Sequence, residues 1–159
     1  MAPNLALANV VLVVTAAVLL YVAATDLKHY KIRNEFILLL IGLFLLYTLF
    51  SDRWVDVAWN LGLAAIVLVF LLYFYARHWM GGGDVKMLTV AFLWTGVECA
   101  LAFSLLLLVF AFLHTAAAKL GWAQSQQADN DQRVRIAFAP SVAAALICIF
   151  VLGCLRSPG

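Results

Sequence analysis

Two aspartates, Asp26 and Asp84, stand at the edges of long apolar runs in this sequence. A carboxylate beside hydrocarbon is costly unless it is solvated, paired or protonated, so an ionisable residue there is a candidate for function. Two carboxylates that face one site suit acid–base catalysis, because a protonated acid can polarise a carbonyl while an ionised partner deprotonates an attacking water. The same pair could also serve as a proton or cation site, and each aspartate alone could be an interfacial residue wetted by headgroups.

The stretch before Asp84 is MGGGDVKM, which places three consecutive glycines in front of the carboxylate. Glycine tolerates positive φ and close backbone approach, and irregular backbone at membrane depth survives only inside protein or beside a water-filled cavity. Gly81, Gly82 and Gly83 therefore predict an irregular, close-packed backbone and a polar recess around Asp84. Lys86, about 200° around the helix from Asp84, either extends toward headgroups or tunes this site and contacts substrate.

The overall composition places these residues in a membrane. Of the 159 residues, 67% are hydrophobic and 11% are charged, and the mean hydropathy is +1.05. These values indicate one integral membrane domain over 1–159, with no nucleic-acid partner and no basis for assigning an oligomeric state. Cys99, Cys148 and Cys154 lie in apolar runs without a CxxC pair, so we expect neither zinc binding nor a disulfide framework.

Apolar runs near the roughly 20 residues that cross a bilayer predict the helices. The predicted membrane segments are Leu5 to Ala24, Phe36 to Phe50, Val57 to Ala76, Val85 to Thr95, Cys99 to Ala118 and Ile136 to Leu155. The second is short unless its helix includes Asn34, which suits an N-cap, and Glu35, which suits the positive helix end. The predicted fold class is thus an all-α polytopic membrane protein with six transmembrane helices and a broken, glycine-rich start to helix four.

The basic residues predict how these segments are oriented. One side of the membrane receives Lys28, Lys31, Arg33, Arg77, Lys86, Lys119, Arg133 and Arg135. The other side receives Arg53 and the terminal Arg156, so the positive-inside rule makes the first side cytoplasmic and both termini extracytoplasmic. Asp26 and Asp84 then share the cytoplasmic boundary.

Three short segments of the sequence resemble a known family. The chain resembles the type IV prepilin peptidases, the GxGD membrane aspartic proteases that trim leader peptides from pilin-like precursors. In GGGDVKML, Gly81, Gly83 and Asp84 fit GxGD, and Lys86 fits the lysine that usually follows. The segment TDLKHYKIRN resembles the one carrying the first catalytic aspartate, which corresponds to Asp26, although Arg33 occupies the usual proline position. IAFAPSVAA, from residue 136, resembles the proline-containing start of the last helix.

The resemblance implies a catalytic pair, Asp26 and Asp84, supported by Gly81 to Gly83, Lys86 and Asn34. It also implies an inner-membrane enzyme that needs neither a cofactor nor a metal. Its substrate would be a pilin-like precursor with a basic leader and an apolar helix. The chain lacks the added cytoplasmic region with paired CxxC motifs found in bifunctional members, so it resembles the short peptidases of tight-adherence pili and the preflagellin peptidases. The alternative is a small transporter or pilus-assembly subunit.

Overall fold

The computed structural model of the protein describes residues 4–29, 32–51, 54–119, 126–127, 134–135 and 138–153. The helices in these residues are α1 (Leu5–His29), α2 (Asn34–Ser51), α3 (Trp54–Ala76), α4 (Gly82–Lys119) and α5 (Ala139–Val151). Helices α1 to α4 are long and apolar enough to cross a membrane, and α5 is a shorter apolar helix. The chain is therefore an α-helical polytopic membrane protein, as predicted.

Between α4 and α5 the structure adds two short strands, β1 (Gln126–Gln127) and β2 (Val134–Arg135). They pair antiparallel, with Gln126 opposite Arg135. The sequence predicted no strand. Hydropathy could not indicate this pair, because each strand is only two residues long and lies in a polar segment.

Helix α4 contains a sharp reversal at Gly96, where φ is 61° and ψ is −173°. This conformation is almost restricted to glycine, because a Cβ would clash with the backbone. The rings of Phe92 and Phe103 pack edge to face with centroids 5.1 Å apart. In a straight helix their Cα atoms would lie about 16 Å apart. Residues 82–95, the N-terminal arm of α4, therefore fold back against residues 97–119, the C-terminal arm.

The reversal also explains why the helix count differs from the prediction. The sequence predicted six helices, with Val85 to Thr95 and Cys99 to Ala118 as separate segments. The described residues contain five helices, because a single non-helical residue, Gly96, separates the two arms of α4.

Helix α5 packs against both α1 and α4. Its small residues Ala139, Ala143 and Ala145 are fully buried, as are Val142 and Leu146. Small side chains let helix backbones approach closely, which is the main source of helix association in a membrane. The start of α5 lies against the C-terminal end of α1, where the backbone of Ala139 contacts Asp26.

The outer surface of the bundle is strongly apolar. Val13, Ile66, Leu101 and Phe112 each expose at least 70% of their surface. A water-soluble protein rarely leaves such large apolar patches uncovered, whereas lipid tails cover them without cost. These exposed side chains, on α1, α3 and α4, are consistent with helices that face hydrocarbon.

Candidate active site

Asp26 lies near the C-terminal end of α1 and is only 4% exposed. Its Oδ2 accepts a hydrogen bond from the backbone N–H of Ala139, at 3.1 Å. Ala139 is the first residue of α5, and Pro140 follows it in the first turn. The first N–H groups of a helix have no partner inside the helix, so a carboxylate at this position satisfies one of them. Asp26 thereby connects α1 to the start of α5, 113 residues later in the chain.

Asp84 lies in the first turn of α4 and closes that turn. The carbonyl of Gly81 accepts the N–H of Val85 at 3.2 Å, which makes Gly81 the N-cap of the helix. The Asp84 carboxylate in turn accepts a hydrogen bond from the backbone of Gly81. An acidic side chain that reaches back to the N-cap N–H is one half of a capping box. Asp84 is thus held at the helix start by a local bond and is partly buried.

The glycines before Asp84 matter because neighbouring side chains come close to their Cα atoms, not because their backbone dihedral angles are unusual. A Cβ on Gly81 would lie 3.0 Å from Asp84 Oδ2, so a side chain at this position would press on the carboxylate. None of the three glycines has a positive φ; in this turn that conformation belongs to His78, with φ 57°. Gly82 and Gly83 are already helical. The predicted irregular backbone is therefore wrong for Gly82 and Gly83, because α4 begins at Gly82.

The two carboxylates come together although they belong to different helices. Asp26 and Asp84 lie close enough for their charges to interact. His114, on the C-terminal arm of α4, also lies within electrostatic reach of Asp26. A histidine near the end of a membrane helix is more often a packed or interfacial residue than a catalytic one. The topology predicted from the sequence puts His114 about one turn from the cytoplasmic end of its segment, and the reversal at Gly96 brings it back toward the start of α4.

The predicted supporting residues form a second connection beside Asp84. Lys86 Nζ donates a hydrogen bond to Asn34 Oδ1, at 2.8 Å. The side chain of Ile32 lies 3.4 Å from where a Cβ of Gly83 would be. Two of the segments that carry the family resemblance, TDLKHYKIRN and GGGDVKML, therefore pack against each other. Asn34 is the first residue of α2, so its bond with Lys86 links the start of α2 to the start of α4.

A cavity of about 300 Å³ lies at the other end of the bundle. It is lined by residues around the reversal, among them Gly96, Trp94, Asn60 and Glu98. A helical arm from Asp84 to Gly96 spans about 18 Å, so this cavity is separate from the carboxylate pair.

Cys99, close to the reversal, is disulfide-bonded, and Cys148 is free. The expectation that the cysteines form no disulfide is therefore wrong. Sequence spacing could not reveal it, because a disulfide requires only that two Cα atoms lie within about 7 Å in space. Cys154 lies outside the described residues.

Comparison with known families shows which family the chain belongs to. The sequence matches the type IV leader peptidase family over residues 13–120. The chain belongs to the type IV leader peptidase family. The match includes both Asp26 and Asp84 and ends before α5. No curated protein and no solved structure gives a significant match.

For a leader peptidase, two neighbouring carboxylates at one end of a helical bundle offer an acid and a base for peptide hydrolysis. The sequence indicated both aspartates, the glycines, Lys86 and Asn34. It did not assign His114 to the site, and it did not predict the backbone N–H of Ala139 as a partner of Asp26. Proline in the segment IAFAPSVAA was the only sequence signal near Ala139, since proline favours the first turn of a helix.

Proposed function

We propose that this leader peptidase is a membrane aspartic endopeptidase that removes the leader from type IV pilin-like precursors. Asp26 and Asp84 form its catalytic pair. The observation that carries the proposal is the meeting of these two carboxylates, which come from α1 and α4 and interact electrostatically. Buried carboxylates without a function are rare in membrane helices, because each one costs free energy to place there.

In this reaction, one carboxylate of the pair is protonated and hydrogen-bonds the oxygen of the scissile carbonyl. The other takes a proton from a water molecule, whose oxygen attacks the carbonyl carbon to give a tetrahedral diol. The C–N bond then breaks, and the leaving nitrogen receives a proton from the pair. Water is consumed and both carboxyls return to their starting state. The hydrogen bonds from Ala139 and Gly81 hold the two carboxylates in place throughout.

The precursor we propose has a short basic leader followed by an apolar helix. The apolar helix can dock against the lipid-facing surface of the bundle while the extended junction reaches the carboxylates. The sequence resemblance supports the short, peptidase-only form of the family, from tight-adherence pilus or preflagellin systems. Arg33, which replaces the usual proline, forms a 2.8 Å ion pair with Glu35 at the surface.

The carboxylate end of the bundle faces the cytoplasm in this proposal, and the protein resides in the inner membrane. Two independent features support the orientation. Basic residues are concentrated at this end, and the disulfide of Cys99 lies near the opposite end. Disulfides persist in the periplasm and outside the cell but rarely in the cytosol. If the two arms of α4 cross the membrane separately, α5 completes the six crossings and both termini are extracytoplasmic.

The orientation can be tested by labelling single cysteines. In a background with Cys148→Ser, which leaves the disulfide in place, we expect Glu35→Cys to react only with a reagent that enters the cytoplasm. Trp59→Cys, at the opposite end, should react with an impermeant reagent added outside. The reverse pattern would contradict the proposed topology.

The function is tested with purified protein in liposomes and a pilin-like precursor. Asp26→Asn and Asp84→Asn should each lower kcat by about 10³-fold or more, since neither carboxylate can perform both proton transfers alone. The side-chain amide of the Asp84→Asn variant keeps an oxygen that can accept the Gly81 hydrogen bond, so folding should persist. Asp56→Asn, in the first turn of α3 at the other end of the bundle, is the matched control and should remain active.

The same liposomes address the alternative, a transporter or assembly subunit that uses the aspartates as proton or cation sites. A pH-sensitive dye inside the vesicles reports proton movement. Cleavage that depends on both aspartates, without proton flux, is the expected result. Proton flux without cleavage would contradict the peptidase proposal.

A further inference from the structure

The side chain of Ser141 is buried in the first turn of α5 and is only 3% exposed. Within the part of the chain that the structure describes, its Oγ has no hydrogen-bond partner. Burying a hydroxyl without a partner costs about 1–3 kcal/mol. A buried group of this kind requires a reason, such as a function in binding.

The other hydroxyls in the described residues avoid this cost. Each of the eight other serine and threonine side chains donates to a carbonyl three or four residues earlier in its own helix: Thr15, Thr25, Thr48, Ser51, Thr89, Thr95, Ser104 and Thr115. This local bond is the usual solution for such side chains in a membrane helix.

Ser141 differs because of where it lies in its helix. The carbonyl three residues earlier, that of Phe138, already accepts the N–H groups of Ser141 and Val142, at 3.1 and 3.3 Å. Helix α5 begins at Ala139, so no helical carbonyl lies four residues before Ser141. The hydroxyl therefore remains available for a partner from outside the helix.

The same helical turn contacts the catalytic pair. Ala139, two residues before Ser141, donates its N–H to Asp26. Two residues along a helix advance it by about 3 Å, and Cα–Cβ bonds tilt toward the helix N-terminus. Ser141 lies about 200° around the helix from Ala139, but its side chain tilts toward the N-terminal end of α5, the end at which Ala139 contacts Asp26.

We propose that the Ser141 hydroxyl hydrogen-bonds the backbone of the precursor where its extended leader junction meets Asp26. This inference rests on the proposed peptidase function. An extended segment brought into a bundle exposes N–H and C=O groups that water no longer satisfies. The unpartnered hydroxyl supplies one of the bonds that the segment needs, so Ser141 is a substrate-positioning residue.

The test compares Ser141→Ala with the parent in liposomes. Removing the hydroxyl should leave a buried backbone group of the precursor without its partner, so kcat/KM should fall about fivefold to a hundredfold. The melting temperature should stay the same or rise, because the variant no longer buries an unpaired hydroxyl. The matched control is Thr15→Val, which removes an equally buried hydroxyl of α1 that is already bonded to Val11. It should leave kcat/KM unchanged.

A second measurement identifies the group that Ser141 contacts. Synthetic precursor peptides carry a single ester in place of one amide near the junction, at each position in turn except the scissile bond. For one of these peptides the parent and Ser141→Ala should be cleaved with nearly equal kcat/KM, because the ester has weakened the same hydrogen bond.

Three results would overturn the inference while leaving the peptidase function intact. These are an unchanged kcat/KM in Ser141→Ala, a loss of activity that follows a lower melting temperature, and equal effects of Ser141→Ala on all ester peptides. If the parent cleaved no precursor, the proposed function itself would fail, and this inference with it.

Discussion

The close contact at Gly81 gives a quantitative prediction for Gly81→Ala. The new Cβ would lie 3.0 Å from Asp84 Oδ2, and an ordinary contact begins near 3.4 Å. The carboxylate must therefore move by a few tenths of an ångström, because its helix start is held by the Gly81 carbonyl. A misplacement of about 1 Å in an active site can cost about 10²-fold in rate. For this smaller shift we expect kcat to fall about threefold to tenfold.

Gly81→Ala should also weaken the helix start. Alanine is a poorer N-cap than glycine, so we expect the free energy of unfolding to fall by about 0.5–1 kcal/mol. Precursor cleavage is therefore measured well below the melting temperature, where this loss leaves the protein folded. The rate of product formation is followed by mass spectrometry at saturating precursor.

Two other glycines separate the proposed contact from a general effect of added methyl groups. A Cβ on Gly42 meets nothing within 4 Å, and a Cβ on Gly82 meets only the exposed ring of Tyr75, at 3.3 Å. Gly42→Ala should keep full activity, and Gly82→Ala should keep most of it because the ring can turn away. If Gly81→Ala were as active as these controls, the argument that Gly81 makes room for the carboxylate would be refuted.

Substitutions at three further positions test other parts of the structure. Gly83→Ala should be tolerated because its Cβ makes an ordinary contact with Ile32. The extra methyls of Gly83→Val should press on the Ile32 side chain and lower kcat/KM. Equal activity of the two variants would contradict this packing. Gly96→Ala should lower the free energy of unfolding by at least about 1–3 kcal/mol, because its positive φ disfavours any Cβ, and an unchanged melting temperature would argue against the reversal. Lys86→Met should lose at most about 1 kcal/mol of stability, since its bond to Asn34 is exposed, and a double-mutant cycle with Asn34→Ala measures the coupling.

The sequence determined the membrane character of the chain and the positions of most helices. Both follow from local hydropathy, which each segment carries regardless of its neighbours. The charge distribution placed Asp26 and Asp84 at one boundary, and the structure brings their carboxylates together. That they act in catalysis is still a prediction.

The number of helices could be predicted from the sequence only in part. The apolar segments on either side of Gly96 were visible, but their joining into one helix with a reversal depends on a single φ angle. Hydropathy averages over many residues and does not report such an angle. The fold-back shows in tertiary contacts, such as that between Phe92 and Phe103.

The surroundings of the carboxylates were decided by tertiary structure alone. The partner of Asp26 is a backbone N–H of Ala139, and a backbone group has no signature in the sequence. The approach of His114 depends on the reversal of α4, and the unpartnered state of Ser141 depends on where α5 begins. Hydropathy and motif spacing are local properties of the chain, whereas these contacts join residues far apart in it. Such contacts exist only once the helices have packed.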